Sequence, residues 1–126
     1  MLKSLTLAAL AIAVPTAVCA DIGPKPTIAF RFSDGAGVQI ADGQLLECDD
    51  ARCAAPKPMP QMGPQTFSCE PTSCSGRAYG FPHYLELALT LSDGRRLTSA
   101  PFAKTRFDQT FTVTVRRGAL RVAPAR

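Results

Sequence analysis

The chain has 126 residues, 46% of them hydrophobic, and a formal net charge of +4. After residue 20 no apolar run approaches the roughly 20 residues that a membrane-spanning helix needs, so we expect no transmembrane helix in the processed chain. The chain also has no ordered platform of aromatic and basic residues, so we expect no binding to nucleic acid.

Residues 1–20 have the order of a secretory signal peptide. Lys3 precedes an apolar run, and small or compact residues come directly before Asp21. The alternatives are an uncleaved anchor and a lipoprotein modified at Cys19. We predict that residues 1–20 are removed and that the product is periplasmic or secreted. The remaining residues 21–126 suit a single small domain.

Short alternating runs predict β-strands in the first half of this domain. Residues 27–32 alternate, with three apolar side chains on one face. Aspartate and glycine within residues 33–37 are typical of a turn, because both tolerate the backbone angles of a reversal. The strand pattern resumes at residues 38–40, and we expect Ala41-Asp42-Gly43 to interrupt it.

The second half shows the same pattern more clearly. Residues 84–91 carry leucine at every second position, and Asp93-Gly94 supplies a hairpin turn before residues 96–99. Residues 111–115 alternate again, and a turn leads into residues 120–122. No window outside the leader sustains a helical period. We therefore predict an all-β domain, a small immunoglobulin-like β-sandwich or barrel with two disulfides.

The cysteines provide those two disulfides. One spacing, with four residues between cysteines, occurs twice, at Cys48, Cys53, Cys69 and Cys74. An even number of cysteines in an exported chain indicates disulfides. The repeated spacing favours pairing within each copy, and the crossed pairings remain open. A structural zinc site is the alternative for this spacing, but predicted export argues against it.

A proline-rich segment follows the first cysteine pair. Residues 54–64 contain four prolines, so we expect an extended surface loop outside any central strand. A sensor or inhibitor that presents Pro56–Pro64 to a partner is one alternative function. Residues 79–84 are rich in aromatics, which either contact a ligand or close the end of the sandwich.

Catalytic and metal-binding residues are sparse. His83 is the only histidine, without a nucleophile elbow or a recognisable acid partner. The carboxylates Glu47, Asp49, Asp50 and Glu70 would gather near the disulfides, either as calcium ligands or as a solvated acidic rim. We predict no enzymatic activity, metal or cofactor; the alternative is an envelope-directed hydrolase using His83.

Charge is unevenly distributed along the domain. Residues 21–94 carry five basic and nine acidic residues, whereas residues 95–126 carry eight basic residues against Asp108 alone. If several of these share a face, they would attract an anionic envelope polymer, a membrane surface or an acidic protein. The alternative is that they only confer solubility. The candidate binding residues are Arg95, Arg96, Arg106, Arg116, Arg117 and Arg121.

Three segments resemble an uncharacterised exported domain found in prokaryotic membrane-associated proteins. They are Asp21-Ile22-Gly23-Pro24-Lys25-Pro26, residues 46–50 and residues 69–79. In such proteins the domain often precedes a C-terminal membrane segment, whereas this sequence ends at Arg126 without one. The family carries no assigned activity, so the resemblance implies export and identifies no functional residue.

These observations together predict a binding or structural module of the cell envelope. The basic C-terminal third, residues 95–126, is the predicted contact surface for an anionic partner.

Overall fold

The computed structural model of the chain describes residues 26–59, 67–78 and 83–126. These ranges contain ten β-strands and no helix, which confirms the all-β prediction. The predicted signal peptide, the opening segment of the family resemblance up to Lys25, and most of the aromatic segment lie outside the described residues.

The strands form two separate sheets. The first sheet has the strand order β10-β9-β1-β5-β4, with the bounds β1 Thr27–Ser33, β4 Ser68–Glu70, β5 Ser73–Arg77, β9 Asp108–Arg116 and β10 Ala119–Pro124. The second sheet has the order β3-β2-β6-β7, with β8 also paired to β6 and the bounds β2 Ile40–Glu47, β3 Lys57–Pro58, β6 His83–Leu91, β7 Arg96–Thr98 and β8 Phe102–Lys104. Within the first sheet, β1 runs parallel to β9 over seven residues.

The two sheets pack face to face around one apolar core. Alternating residues of β1, β6 and β9 are buried there, as the leucine period of β6 predicts. Phe30 lies at the centre, stacked on Phe111 at 5.6 Å between ring centroids. Phe67 and Phe102 contact Phe30 edge-on, at 5.9 and 5.8 Å. These aromatic contacts join the first sheet to the strand β8 of the second.

The sandwich has two ends, which we call upper and lower. The upper end carries the connections at residues 34–39, 71–72, 92–95 and 117–118. Backbone bonds tie them together: the Ile40 N–H donates to the Pro71 carbonyl at 2.9 Å, and the Ser92 N–H to the Gln39 carbonyl at 2.7 Å. The lower end carries the loop at residues 105–107. Along the sides, β2 packs against β4, and β7 packs against β10.

Both disulfides are local, as the repeated spacing favoured. Cys48 pairs with Cys53 in the turn that follows β2, and Cys69 pairs with Cys74. Cys69 and Cys74 stand opposite one another in the hairpin of β4 and β5. The first bridge therefore closes a turn at the lower end, whereas the second lies between the sheets.

One sequence expectation is wrong, and two strand pairings were not predicted. Ala41-Asp42-Gly43 does not end a strand, because β2 continues through it with a bulge between Ile40 and Asp42. The hairpin of β4 and β5 was not predicted, since its strands are short and polar on their outer side. Within the proline-rich segment, Lys57–Pro58 pairs at the outer edge of the second sheet, the position where a strand tolerates proline.

Candidate anion-binding surface

The outer face of the first sheet is lined by small polar and aliphatic side chains. Because directly paired residues of neighbouring strands point to the same side, the strand registers define this face. Its threonine, serine and alanine residues are Thr27, Ala29, Ser33, Ser68, Ser73, Ser75, Thr110, Thr112, Thr114, Ala119 and Ala123. None of them is long enough to cover a neighbouring guanidinium group.

Four arginines project from the same face. Arg31 lies near its middle on β1, paired with Thr112 on one side and Ser73 on the other. Arg77 lies on β5, Arg116 at the end of β9, and Arg121 on β10. Within the described parts of the chain, none of the four forms an ion pair. We call this surface the arginine face.

A cleft of about 420 Å³ opens at the lower edge of the arginine face. Three arginines line it: Arg31, Arg106 and Arg126. Asp108 also lines the cleft, and its Oδ1 accepts a hydrogen bond of 2.8 Å from the Thr27 hydroxyl. The cleft is therefore lined by three guanidinium groups and one carboxylate, which already accepts a hydrogen bond. The net charge of these four side chains is positive, which favours binding of an anion.

Buried polar side chains hold the loop that places Arg106 in this cleft. Lys104 is fully buried, and its Nζ donates to the carbonyl oxygens of Arg106 at 2.5 Å and Phe107 at 2.6 Å. Gln109 Oε1 accepts from the Thr105 N–H at 2.8 Å. The Phe107 carbonyl also accepts the Thr27 N–H at 3.1 Å, so polar groups of the loop bond both to buried side chains and to β1. These hydrogen bonds therefore fix the position of the 105–107 loop at the lower end.

Burial also changes the titration of Lys104. Removal of the ammonium group from water lowers its pKa from the ordinary value of 10.5, and the nearby Asp108 carboxylate acts in the opposite direction. Lys104 belongs to the basic third of the sequence, but it is not part of any surface. Its ammonium group bonds to the loop carbonyls in the interior and is not accessible to a partner.

The six arginines predicted as binding residues do not share one face. Arg116 and Arg121 lie on the arginine face, and Arg106 lines its cleft. Arg96 lies on the outer side of the second sheet, and Arg95 lies in the turn before it. Arg117 lies in the upper turn between β9 and β10. The C-terminal third is thus divided between both sheets of the sandwich.

The arginines of the second sheet have acidic neighbours. Arg95 Nε donates to Asp93 Oδ2 at 2.8 Å, and the Arg95 N–H donates to Asp93 Oδ1 at 3.1 Å. These bonds, the backbone one first, lower the pKa of Asp93. Arg96 lines a second cleft, of about 430 Å³, together with Asp42. Arg95 of this side therefore has an ion-pair partner, whereas the four arginines of the arginine face form no ion pair among the described residues.

His83 has an acid partner that the sequence did not reveal. His83 Nε2 lies 3.1 Å from Glu47 Oε2, and the imidazole side chain is only 12% exposed. Its other nitrogen, Nδ1, is buried and has no hydrogen-bond partner among the described residues. No described serine, threonine or tyrosine hydroxyl bonds to the imidazole. The pair of His83 and Glu47 therefore lacks a nucleophile among the residues that the structure describes.

The predicted acidic cluster is not assembled. Glu47 pairs with His83, and Asp50 Oδ1 accepts the N–H groups of Arg52 and Cys53. Among the described residues, the group with ligand atoms within 4.8 Å of one another is Cys48, Cys53 and Glu86. Both of its sulfurs are committed to a disulfide, so they cannot act as thiolate ligands. This group is not a metal site.

Comparisons with known proteins identify no relative of this chain. No protein-family model, no curated protein and no solved structure matches it. The described residues also include no helix with the length and apolarity required to cross a bilayer.

Proposed function

We propose that the chain is an exported binding module of the cell envelope that contacts an anionic partner through arginines of its C-terminal third. The observation that carries the proposal is the environment of Arg116 and Arg121. Both are exposed, neither forms an ion pair among the described residues, and their neighbours on the sheet are short. Guanidinium groups in this setting are free to bind carboxylate or phosphate oxygens in a bidentate manner.

Two disulfides support a location outside the cytoplasm. Both thiol pairs are oxidised, and such bonds persist in periplasmic or secreted proteins. Removal of residues 1–20 would deliver the domain there.

A role in binding, without catalysis, agrees with the surroundings of His83. The carboxylate of Glu47 orients one ring nitrogen, but no described hydroxyl is positioned to be activated by the imidazole. A hydrolase that works through a serine-type nucleophile would need a hydroxyl at that point. The arginines, by contrast, need no further group to hold an anion.

The proposal is tested with the processed chain, residues 21–126, against anionic vesicles and acidic polysaccharides at low and high salt. We expect binding at low salt that weakens as salt screens the charges. Charge reversal at Arg116→Glu and Arg117→Glu should weaken binding by about tenfold at low salt. The matched control is Lys57→Glu, which reverses an exposed charge on β3, on the far edge of the other sheet. Absence of salt-sensitive binding, or an unchanged affinity in the Arg116 and Arg117 variants, would overturn the proposal.

A further inference from the structure

The arginine face has a directional arrangement of charge. Arg121 pairs with Thr114, Arg31 with Thr112, and Arg77 with Thr27, so the three residues step down the sheet as they cross it. With strands about 4.8 Å apart and a rise of about 3.3 Å per residue, the Arg31 Cα lies about 12 Å from that of Arg121 and about 14 Å from that of Arg77. The arginines therefore form a diagonal about 25 Å long.

The acidic residues of this face lie beside the diagonal and not on it. Glu70 stands on the edge strand β4, in the row of Arg31, and Asp108 stands at the lower end of β9, in the row of Arg77. Both are therefore about two strands away from the arginine of their row, or about 10 Å. A negatively charged chain that follows the diagonal passes between them.

Hydroxyl groups fill the spaces between the arginines. Thr110, Thr112 and Thr114 follow one another along β9, and serines of β1, β4 and β5 continue the array. Hydroxyls both donate and accept hydrogen bonds, as the hydroxyls of sugars do. The strands of this face expose no large apolar side chain that would insert into a lipid layer, and the exposed Phe107 lies in the loop below them.

We infer that the arginine face binds a linear acidic polysaccharide along the diagonal of Arg121, Arg31 and Arg77. Each guanidinium group holds a carboxylate of the polymer, the hydroxyls contact the sugar rings, and the cleft beside Arg31 accepts a group that projects from the chain. This inference rests on the proposed function. It differs in two respects, because it adds Arg31 and Arg77, which precede the C-terminal third, and it does not use Arg116 or Arg117.

The inference is tested with polygalacturonate by measuring affinity at low salt. The variant Arg31→Gln/Arg77→Gln should bind about tenfold more weakly, because two charge-assisted contacts are lost. The matched control Arg95→Gln/Arg96→Gln removes the same charge from the other sheet and should change affinity less than twofold. Arg31→Lys keeps the charge but loses the bidentate geometry, so its affinity should fall between those of the parent and Arg31→Gln. Thermal unfolding confirms that each variant is folded.

Oligogalacturonides of increasing length give a second, independent readout. Affinity should rise with length until the oligomer spans about 25 Å and then level off, as the diagonal predicts. A length-independent affinity, or a loss confined to the Arg95 and Arg96 variant, overturns the inference but leaves the proposed function intact. Binding to anionic vesicles without binding to polygalacturonate does the same. Absence of salt-sensitive binding to either probe overturns both.

Discussion

Gly43 of β2 lies against the sulfur of Cys69, so that the second disulfide packs across the gap between the two sheets. A Cβ atom at Gly43 would overlap Cys69 Sγ, and would lie 3.0 Å from Leu89 Cδ2 and 3.4 Å from Cys74 Sγ. The φ angle of Gly43 is not positive, so space alone requires glycine here. The sandwich closes at this side because a residue without a side chain faces a disulfide.

Substitution of Gly43 by alanine should destabilise the domain by about 1–3 kcal/mol, the usual cost of overpacking a core. The measurement is urea unfolding of the oxidised protein. Gly35→Ala is the matched control, since a Cβ at Gly35 meets nothing within 4 Å and φ there is not positive. Equal unfolding midpoints for the two variants would show that the disulfide does not occupy this position.

The two disulfides should differ in their contribution to stability. Both have a sequence separation of 5, so the chain-entropy model assigns each about 2 kcal/mol. Replacement of Cys69 and Cys74 by alanine should cost more than replacement of Cys48 and Cys53, because only the former pair fills space between the sheets. The measurement is the free energy of unfolding of the two double variants.

A double-mutant cycle separates packing from entropy. In the Cys69→Ala/Cys74→Ala background, Gly43→Ala should lose most of its cost, because the atoms it overlaps are gone. If Gly43→Ala lowers the free energy of unfolding by the same amount in this background, then contact with Leu89 causes the destabilisation.

Burial of Lys104 should make stability depend on pH in the alkaline range. Its folded-state pKa lies below the ordinary 10.5, so between these two values the unfolded chain binds more protons and the free energy of unfolding rises with pH. The stability that the neutral Lys104 amine contributes is fully present above pH 10.5. It is lost as pH falls through the folded-state pKa. In urea unfolding, the free energy of unfolding of the parent should increase relative to that of Lys104→Met as pH rises. Parallel pH profiles would contradict the burial of a titrating amine.

Arg117 occupies a turn position that favours asparagine or glycine. Its φ is 53° and that of Gly118 is 75°, the two positive angles of a type I′ hairpin turn. Arg117→Asn should therefore stabilise the domain by about 0.5–1 kcal/mol. The neighbouring Arg116→Asn, in regular strand, is the control and should give no gain.

The same variant also tests the proposed function. If Arg117 is retained for contact with an anion, Arg117→Asn should weaken binding at low salt while it raises the unfolding temperature. If the variant is more stable and binds with unchanged affinity, Arg117 is not part of the anion-binding surface.

Several features could be predicted because their signal is local. The alternation of Leu85, Leu87, Leu89 and Leu91 predicted the buried side of β6, and all four are in the core. Asp93-Gly94 predicted the hairpin that follows, in which Gly94 has a φ of 92°. The repeated cysteine spacing favoured the pairing that is observed.

Other features were missed because the partner residues are distant in sequence. Gly43 was interpreted as a strand break, since nothing near it indicates that a disulfide lies opposite. His83 had no evident acid partner, because Glu47 precedes it by 36 residues. Lys104 was one of the eight basic residues counted in the C-terminal third, although two carbonyl oxygens bind it in the interior.

The sequence by itself determined the long alternating strands and the turns between them, and it favoured the local cross-links, since backbone preference, side-chain alternation and cysteine spacing act over a few residues. Only the tertiary structure decided which arginines share a surface. Arg31 joins Arg121 because β1 pairs in parallel with β9, and the bond from Thr27 to Asp108 spans 81 residues. Arg95 and Arg96 follow β6 into the other sheet. The register between distant strands is set by packing of the whole core. It therefore cannot be predicted from any local pattern in the sequence.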